Sequence, residues 1–177
     1  MKLYLVGFMG CGKTTIGQAL ADRLKLPFFD LDELVEAAEK MTIKEIFAER
    51  GEPYFRMRER DILRSTRYLE KAVIATGGGT FTFEDNIQFV ESEGYSIHLS
   101  APFPLLRSRI GEKAAERPMF RDDLSTHELF RNRLRFYNAA DLTIEVREDQ
   151  TVHELVERIV LELPRGVLTA VVDGAAH

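Results

Sequence analysis

The sequence predicts an α/β protein in three layers, with a five-stranded parallel sheet carrying helices on both faces. Short apolar, β-rich runs recur at residues 2–6, 27–30, 72–75, 95–100 and 142–146, and the stretches between them carry apolar residues at helical spacing. Right-handed crossovers between parallel strands satisfy such an alternation most economically. A length of 177 residues, 45% of them hydrophobic, suits one compact domain with a single full core.

The first strand, 2–6, runs into a glycine-rich turn, and a helix opens near Lys13 with Ile16, Ala19, Leu20 and Leu24 on one face. After the second strand, residues 31–71 exceed the roughly 30 residues of a minimal βαβ unit. This segment has room for two or three helices, one with Ile62, Leu63 and Leu69 on its face, and reads as an insertion. The third strand ends at Gly77-Gly78-Gly79. Between strands four and five, residues 111–123 form a charged segment broken by Gly111 and Pro118, which reads as a mobile lid between helical stretches. A last helix carries Val152, Leu155, Val156, Ile159, Val160 and Leu163 on one face. Residues 164–177 show no usable period and are expected to form a loosely attached, flexible tail.

Composition excludes several classes. Twenty-four Lys+Arg against 29 Asp+Glu give a net charge of −5, so no general attraction to nucleic acid or anionic membrane is expected. The apolar runs are too short to span a bilayer, and the apolar start leads into Gly-Cys-Gly-Lys rather than a cleavage site. The single cysteine, Cys11, permits neither an internal disulfide nor a cysteine-built zinc site, which suits a reducing cytosol.

Gly7-Phe8-Met9-Gly10-Cys11-Gly12-Lys13-Thr14 matches the phosphate-binding pattern G-x-x-x-x-G-K-[ST] between a strand and a helix, the context the motif needs. Its glycines let successive N–H groups point inward, Lys13 reaches the outer phosphates, and the Thr14 hydroxyl is offered to Mg²⁺. Asp30 and Asp32 follow at the end of the second strand, where strand alternation would put both carboxylates on one side. One could orient Mg²⁺ while the other takes a proton from an attacking hydroxyl, although Asp32 could equally be a helix cap. Arg56 and Glu59 are three apart on a helix, a spacing that often marks only a surface ion pair, and periodicity does not single out Arg56 from Arg58, Arg60, Arg64 and Arg67. Gly77, Gly78 and Gly79 would let main-chain N–H groups approach a ligand closely. Arg117 on the lid could neutralise charge at the transferred phosphoryl, and Arg131, Arg133 and Arg135 precede Tyr137. His98, His127, His153 and His177 lack metal-ligand spacing and triad partners. Cys11 has no histidine near it in sequence and reads as a compact loop residue.

Taken in order, the loop 7–14, the Asp30-x-Asp32 pair, Phe55-Arg56-x-x-Glu59, Gly77–Gly79, Arg117-Pro118 and Arg133-x-x-x-Tyr137 resemble the shikimate kinases, of the nucleoside-monophosphate-kinase group of P-loop folds. The resemblance runs over residues 2–163, one kinase domain. It departs at Met119-Phe120, where two leucines are usual, and at Leu134-Arg135-Phe136, where a proline is common. It implies transfer of a phosphoryl group from ATP to the 3-hydroxyl of shikimate, on the route to chorismate and the aromatic amino acids. It further implies that Gly10, Cys11, Gly12, Lys13, Thr14 and Thr15 hold ATP, with Arg109 and Gln150 beside the adenine. Arg117 would contact the phosphates, and Lys13, Asp32 and Arg117 would be catalytic. Asp32 would hold the reacting hydroxyl, Thr14 and Asp30 would serve Mg²⁺, Arg56 and Arg133 would clamp the carboxylate, and Gly77, Gly78 and Gly79 would meet the ring hydroxyls. Two other readings are a kinase for another polyol acid such as gluconate, and a nucleotide-binding regulatory module without turnover. The expected partners are ATP and shikimate, with no nucleic acid and no membrane, for a monomer in the cytoplasm.

Overall fold

The computed structural model describes residues 1–111 and 122–173. β1 (Lys2–Val6) lies at the centre of a five-stranded sheet, between β3 (Val73–Ala75) and β4 (Gly94–Ser100). β2 (Phe28–Asp30) and β5 (Leu142–Glu145) form the edges, and every neighbouring pair is parallel. All five residues of β1 are buried, which is why the strand reads as a nearly continuous apolar run rather than an alternating one. Its one charge, Lys2, reaches Glu93 at 2.8 Å.

α1 (Lys13–Leu24) lays Ile16, Leu20, Ala21 and Leu24 against the sheet and stops at Lys25, whose backbone is left-handed and whose N–H reaches the carbonyls of Ala21 and Asp22. The long connection after β2 holds three helices, α2 (Leu31–Glu39), α3 (Ile43–Arg50) and α4 (Glu52–Ser65), followed by a 3₁₀ turn over Thr66–Tyr68. A reciprocal box between Thr42 and Glu45 starts α3. These helices close a second, smaller core of Val35, Ile46 and Phe55, with Met41, Ile43, Phe47 and Tyr54 against it. α4 also sends Leu63 into the main core, so the insertion is anchored to the sheet through one helix.

α5 (Glu84–Glu93) leads into β4, and α6 (Phe103–Gly111) and α7 (Asp123–Tyr137) lie between β4 and β5. α7 is capped by Asp122, whose carboxylate accepts from the N–H of Ser125. Most of the expected lid, including Arg117, Met119 and Phe120, lies outside the described residues. α8 (Val152–Glu162) opens on a Thr151–Glu154 box and buries Leu155, Val156 and Ile159. Where a loose tail is expected after it, a further helix forms instead, α9 (Arg165–Val172). It packs Val167 and Leu168 on the main core, buries Val171 completely, and is held at its end by Lys71, which donates to the Asp173 carbonyl at 2.6 Å. Two turns carry too few apolar positions for a period to be legible in sequence. Among the described residues no helix is long and apolar enough to cross a membrane.

Ile46 is fully buried in the smaller core, so Ile46→Ala should cost about 2–4 kcal/mol of stability in a urea titration. A loss below about 0.5 kcal/mol would show that the insertion does not depend on this core.

Candidate active site

The carboxyl ends of the strands open on a cleft of about 1010 Å³ whose lining includes Gly10, Gly12, Lys13, Thr14, Thr15, Asp30, Asp32, Arg56, Gly77, Gly78, Gly79, Arg109, Arg133 and Gln150. That is the location expected for ligands in open α/β sheets. Two site residues proposed from sequence stand apart. The Cys11 side chain is buried in the core, its sulfur 3.7 Å from Lys13 Nζ, so only its backbone faces the loop. Arg117 is outside the described residues.

On the nucleotide side, Gly12 precedes α1 in a left-handed conformation, φ 97°, and α1 has no capping side chain. Its first N–H groups are thus left for an anion, reinforced by the helix dipole. Lys13 Nζ donates to the carbonyls of Gly7 and Phe8, which arch the ammonium over the loop. Arg109 Nη1 donates to the Gly10 carbonyl at 3.3 Å, so α6 is tied to the loop.

The two aspartates divide their roles differently from strand alternation, because β2 ends at Asp30 and α2 begins at once. Asp30, not Asp32, is the helix cap: Oδ1 accepts from the N–H groups of Asp32, at 2.9 Å, and Glu33. Its Oδ2 accepts from Thr14 Oγ1 at 2.6 Å. Asp32, relieved of capping, turns its carboxyl into the cleft. Burial, then the negative charges of Asp30 and Glu59, push that carboxyl up to about 7, against the pull of Lys13 and Arg56. Asp30 and Thr14 form a pair of hard oxygen donors suited to Mg²⁺, which commonly takes one or two protein oxygens and completes its shell with phosphates and water. Among the described residues no cluster of three His, Cys, Asp or Glu could hold a metal.

On the opposite side, α4 turns Arg56 toward the cleft, where Nη1 donates to Glu59 Oε1 at 2.9 Å. The expected surface ion pair is instead buried, since Glu59 is only 1% exposed. Its other oxygen accepts from Thr80 Oγ1 at 2.8 Å. Glu59, Met9, Phe55 and Thr76 line the cleft but were not picked as site residues from sequence. Glu59 carries a signal in its spacing from Arg56, Phe55 and Met9 lie within the motifs quoted above, and Thr76 carries none. Arg58 faces the other way, toward Glu39 and Asp61. Arg133 on α7 is 7% exposed and makes no ion pair among the described residues. Burial lowers its pKa from the ordinary value.

The three glycines after β3 each face a different charged group. A Cβ on Gly77 would lie 2.6 Å from Glu59 Oε2 and 3.0 Å from Asp32 Oδ1, and one on Gly78 would lie 3.2 Å from Arg133 Nη1. One on Gly79 would collide with the Arg56 guanidinium. No other residue lets the turn come so close to both arginines and both carboxylates. Among the described residues the N–H groups of Gly78 and Gly79 donate to nothing in the protein, and are therefore free for a ligand.

Comparison with known proteins agrees with this geometry. The family model described as shikimate kinase matches residues 9–164. A shikimate kinase of Aquifex aeolicus is 36% identical over 95% of this chain and 99% of its own length, and one of Salinibacter ruber is 37% identical over 90% and 83%. A solved structure of shikimate kinase from Acinetobacter baumannii in complex with shikimate superposes with a TM-score of 0.85, at 33% identity over 90% of both chains. Deoxyadenosine kinase from M. mycoides, 19% identical with a TM-score of 0.58, shares the fold alone. A nucleotide loop and a two-arginine anion cradle in one cleft, with a family match along nearly the whole chain, lead to one conclusion: the chain belongs to the shikimate kinase family.

Proposed function

We propose that this chain transfers the γ-phosphoryl group of ATP to the 3-hydroxyl of shikimate. The observation that carries the reading is Arg133, a buried guanidinium that pairs with no carboxylate among the described residues, set across the glycine turn from Arg56. A buried cation is costly unless an anion meets it, and a guanidinium fork fits a carboxylate with two parallel hydrogen bonds. Arg56 and Arg133 receive the shikimate carboxylate, and Gly77, Gly78 and Gly79 lie against the ring hydroxyls. Gly10, Gly12, Thr15 and the free end of α1 receive the ATP phosphates, with Arg109 and Gln150 bordering the base. Thr14 and Asp30 hold Mg²⁺, which when bound neutralises phosphate charge.

Asp32 stands between the two halves. As the 3-hydroxyl oxygen forms its bond to the γ-phosphorus, the bond from that phosphorus to the β–γ bridging oxygen breaks. The hydroxyl proton passes to the Asp32 carboxylate. A carboxyl whose pKa is raised to about 7 suits this task, because it is a stronger base than an ordinary aspartate and still ionises near neutrality. Lys13 follows the charge that accumulates on the transferred group and on ADP. Arg117 is proposed to close on the phosphates from the lid.

Purified protein should form ADP from ATP in a coupled assay when shikimate and Mg²⁺ are present, and chelating the metal should abolish it. Equal turnover of gluconate would defeat the assigned acceptor. Arg133→Ala should raise KM for shikimate by about 30-fold or more with KM for ATP nearly unchanged. Equal loss toward both substrates would remove Arg133 from the carboxylate clamp. Asp32→Asn should slow turnover by about 10²–10⁴ while ATP still binds in calorimetry. The same variant should gain stability at alkaline pH. The folded state holds the Asp32 proton more tightly than the unfolded chain, so ionisation destabilises the fold, fully above about pH 7 and not at all below about 3.8. Thermal denaturation should therefore show Asp32→Asn more stable by about 1–3 kcal/mol at pH 8 and level with the parent near pH 4. A variant less stable at pH 8 would contradict the environment assigned to Asp32.

A further inference from the structure

The chemistry above leaves one deeply buried polar group unused. Tyr137, the last residue of α7, is fully buried, and its hydroxyl donates to the carbonyl of Gly78, 59 positions away in sequence. The carbonyls on either side of it are satisfied within the turn itself, that of Gly77 by the N–H of Thr80 and that of Gly79 by the N–H and hydroxyl of Thr82. Gly78 alone is held from outside. One helical turn before Tyr137, Arg133 reaches the same glycine, its Nη1 3.2 Å from where a Cβ on Gly78 would stand, and its charge acts on the same phenol.

The surroundings keep this phenol a permanent donor. Burial raises its pKa far above the ordinary value, so it does not ionise at any working pH. Beneath it lies the ring of His98 on β4, with centroids 5.2 Å apart and a 36° tilt. His98 is 2% exposed, and its Nδ1 has no partner among the described residues. Burial and the nearby Lys13 charge hold its pKa down at about 4, so the imidazole is neutral and adds no charge beside Arg133. The phenol ring is thus seated on an uncharged base, and its oxygen bonds the glycine turn beside the carboxylate clamp.

We propose that Tyr137 is a positioning residue for the phosphoryl acceptor: its hydroxyl fixes the Gly78 carbonyl and the Arg133 guanidinium relative to each other. The inference rests on the acceptor reading given above. A small ring acid spans the two groups, with its hydroxyls at the turn and its carboxylate at the arginine. Their separation must match the molecule before it arrives, since an ångström of misplacement weakens both contacts at once. The Tyr137 hydroxyl bonds no atom of the phosphate loop, so its loss should weigh on the acceptor far more than on ATP.

Tyr137→Phe keeps the ring and its contact with His98 and removes only the hydroxyl. In steady-state kinetics KM for shikimate should rise about tenfold, the scale for one buried hydrogen bond to a carbonyl, while KM for ATP stays within about twofold. Hydrogen exchange on the ligand-free protein should show the Thr80 and Thr82 amides, which donate to the Gly77 and Gly79 carbonyls of the turn, exchanging about tenfold faster in the variant, with the Ile16 amide at the start of α1 unchanged. An unchanged KM for shikimate, an equal rise in both KM values, or a variant that no longer folds would overturn the proposal. If the parent protein fails to phosphorylate shikimate, the acceptor reading falls, while unchanged exchange at Thr80 and Thr82 would overturn the role of Tyr137 by itself.

Discussion

Glu59 is 1% exposed, and a carboxylate can be carried so far from water only if both of its oxygens are bonded, as they are here by Arg56 at 2.9 Å and Thr80 at 2.8 Å. The consequences spread outward. Thr80 is the first residue after the glycine turn, and its carbonyl accepts from Asn86 Nδ2 at 3.0 Å, so the turn is fixed to α5 as well as to α4. Arg64 donates to Asn86 in its turn. This chain of bonds joins the inserted helices to the sheet edge and aims Arg56 into the cleft. The same negative charge helps to hold a proton on Asp32. A neutral residue at this position would leave Arg56 only its half-exposed partner Glu52, at 3.3 Å, so position and electrostatics of this side of the cleft depend largely on one buried anion.

The cleft draws its selectivity from charges in alternation. Asp30, Asp32 and Glu59 face Lys13, Arg56 and Arg133 across a few ångströms, in a protein whose overall charge is −5. A monoanionic acid and a polyanionic nucleotide would be repelled by the whole molecule and attracted where the cations concentrate, which favours the cleft over other parts of the surface. Lys13 contributes without a carboxylate neighbour bonded to it, because backbone carbonyls of its own loop support its ammonium. Its charge is therefore not neutralised by a bonded carboxylate among the described residues.

Much of this was legible in the amino-acid order. All five strands appear within about a residue of the expected runs, since parallel strands covered on both faces leave continuous apolar signatures. The phosphate loop was legible because its chemistry dictates glycines at fixed spacing. Other features were not, each for a physical reason. Strand alternation suggested that Asp30 and Asp32 share a face; a helix starting at Leu31 decides instead which of them caps it. Helix periodicity could not choose between Arg56 and Arg58, because α4 is polar on several faces and both pair with acids, Arg56 toward the cleft and Arg58 toward Glu39. The family motif made that choice. Glu59 was seen only as a partner, since burial is set by the glycine turn, eighteen residues later. The final helix was hidden because its apolar contacts fill just two turns.

The uncapped start of α1 separates the two halves of the cleft in another sense. Main-chain donors carry no side chain to be lost by substitution and no proton that titrates in the working range, so the grip on phosphate is written into the chain's path rather than its composition. The acceptor half adds to its glycine turn the charged side chains of Arg56, Arg133, Asp32 and Glu59, any of which a substitution can change. The main-chain part of the first half is thus set by geometry and indifferent to acidity. The second is where a change of substrate could arise by side-chain substitution without rebuilding the turn into α1.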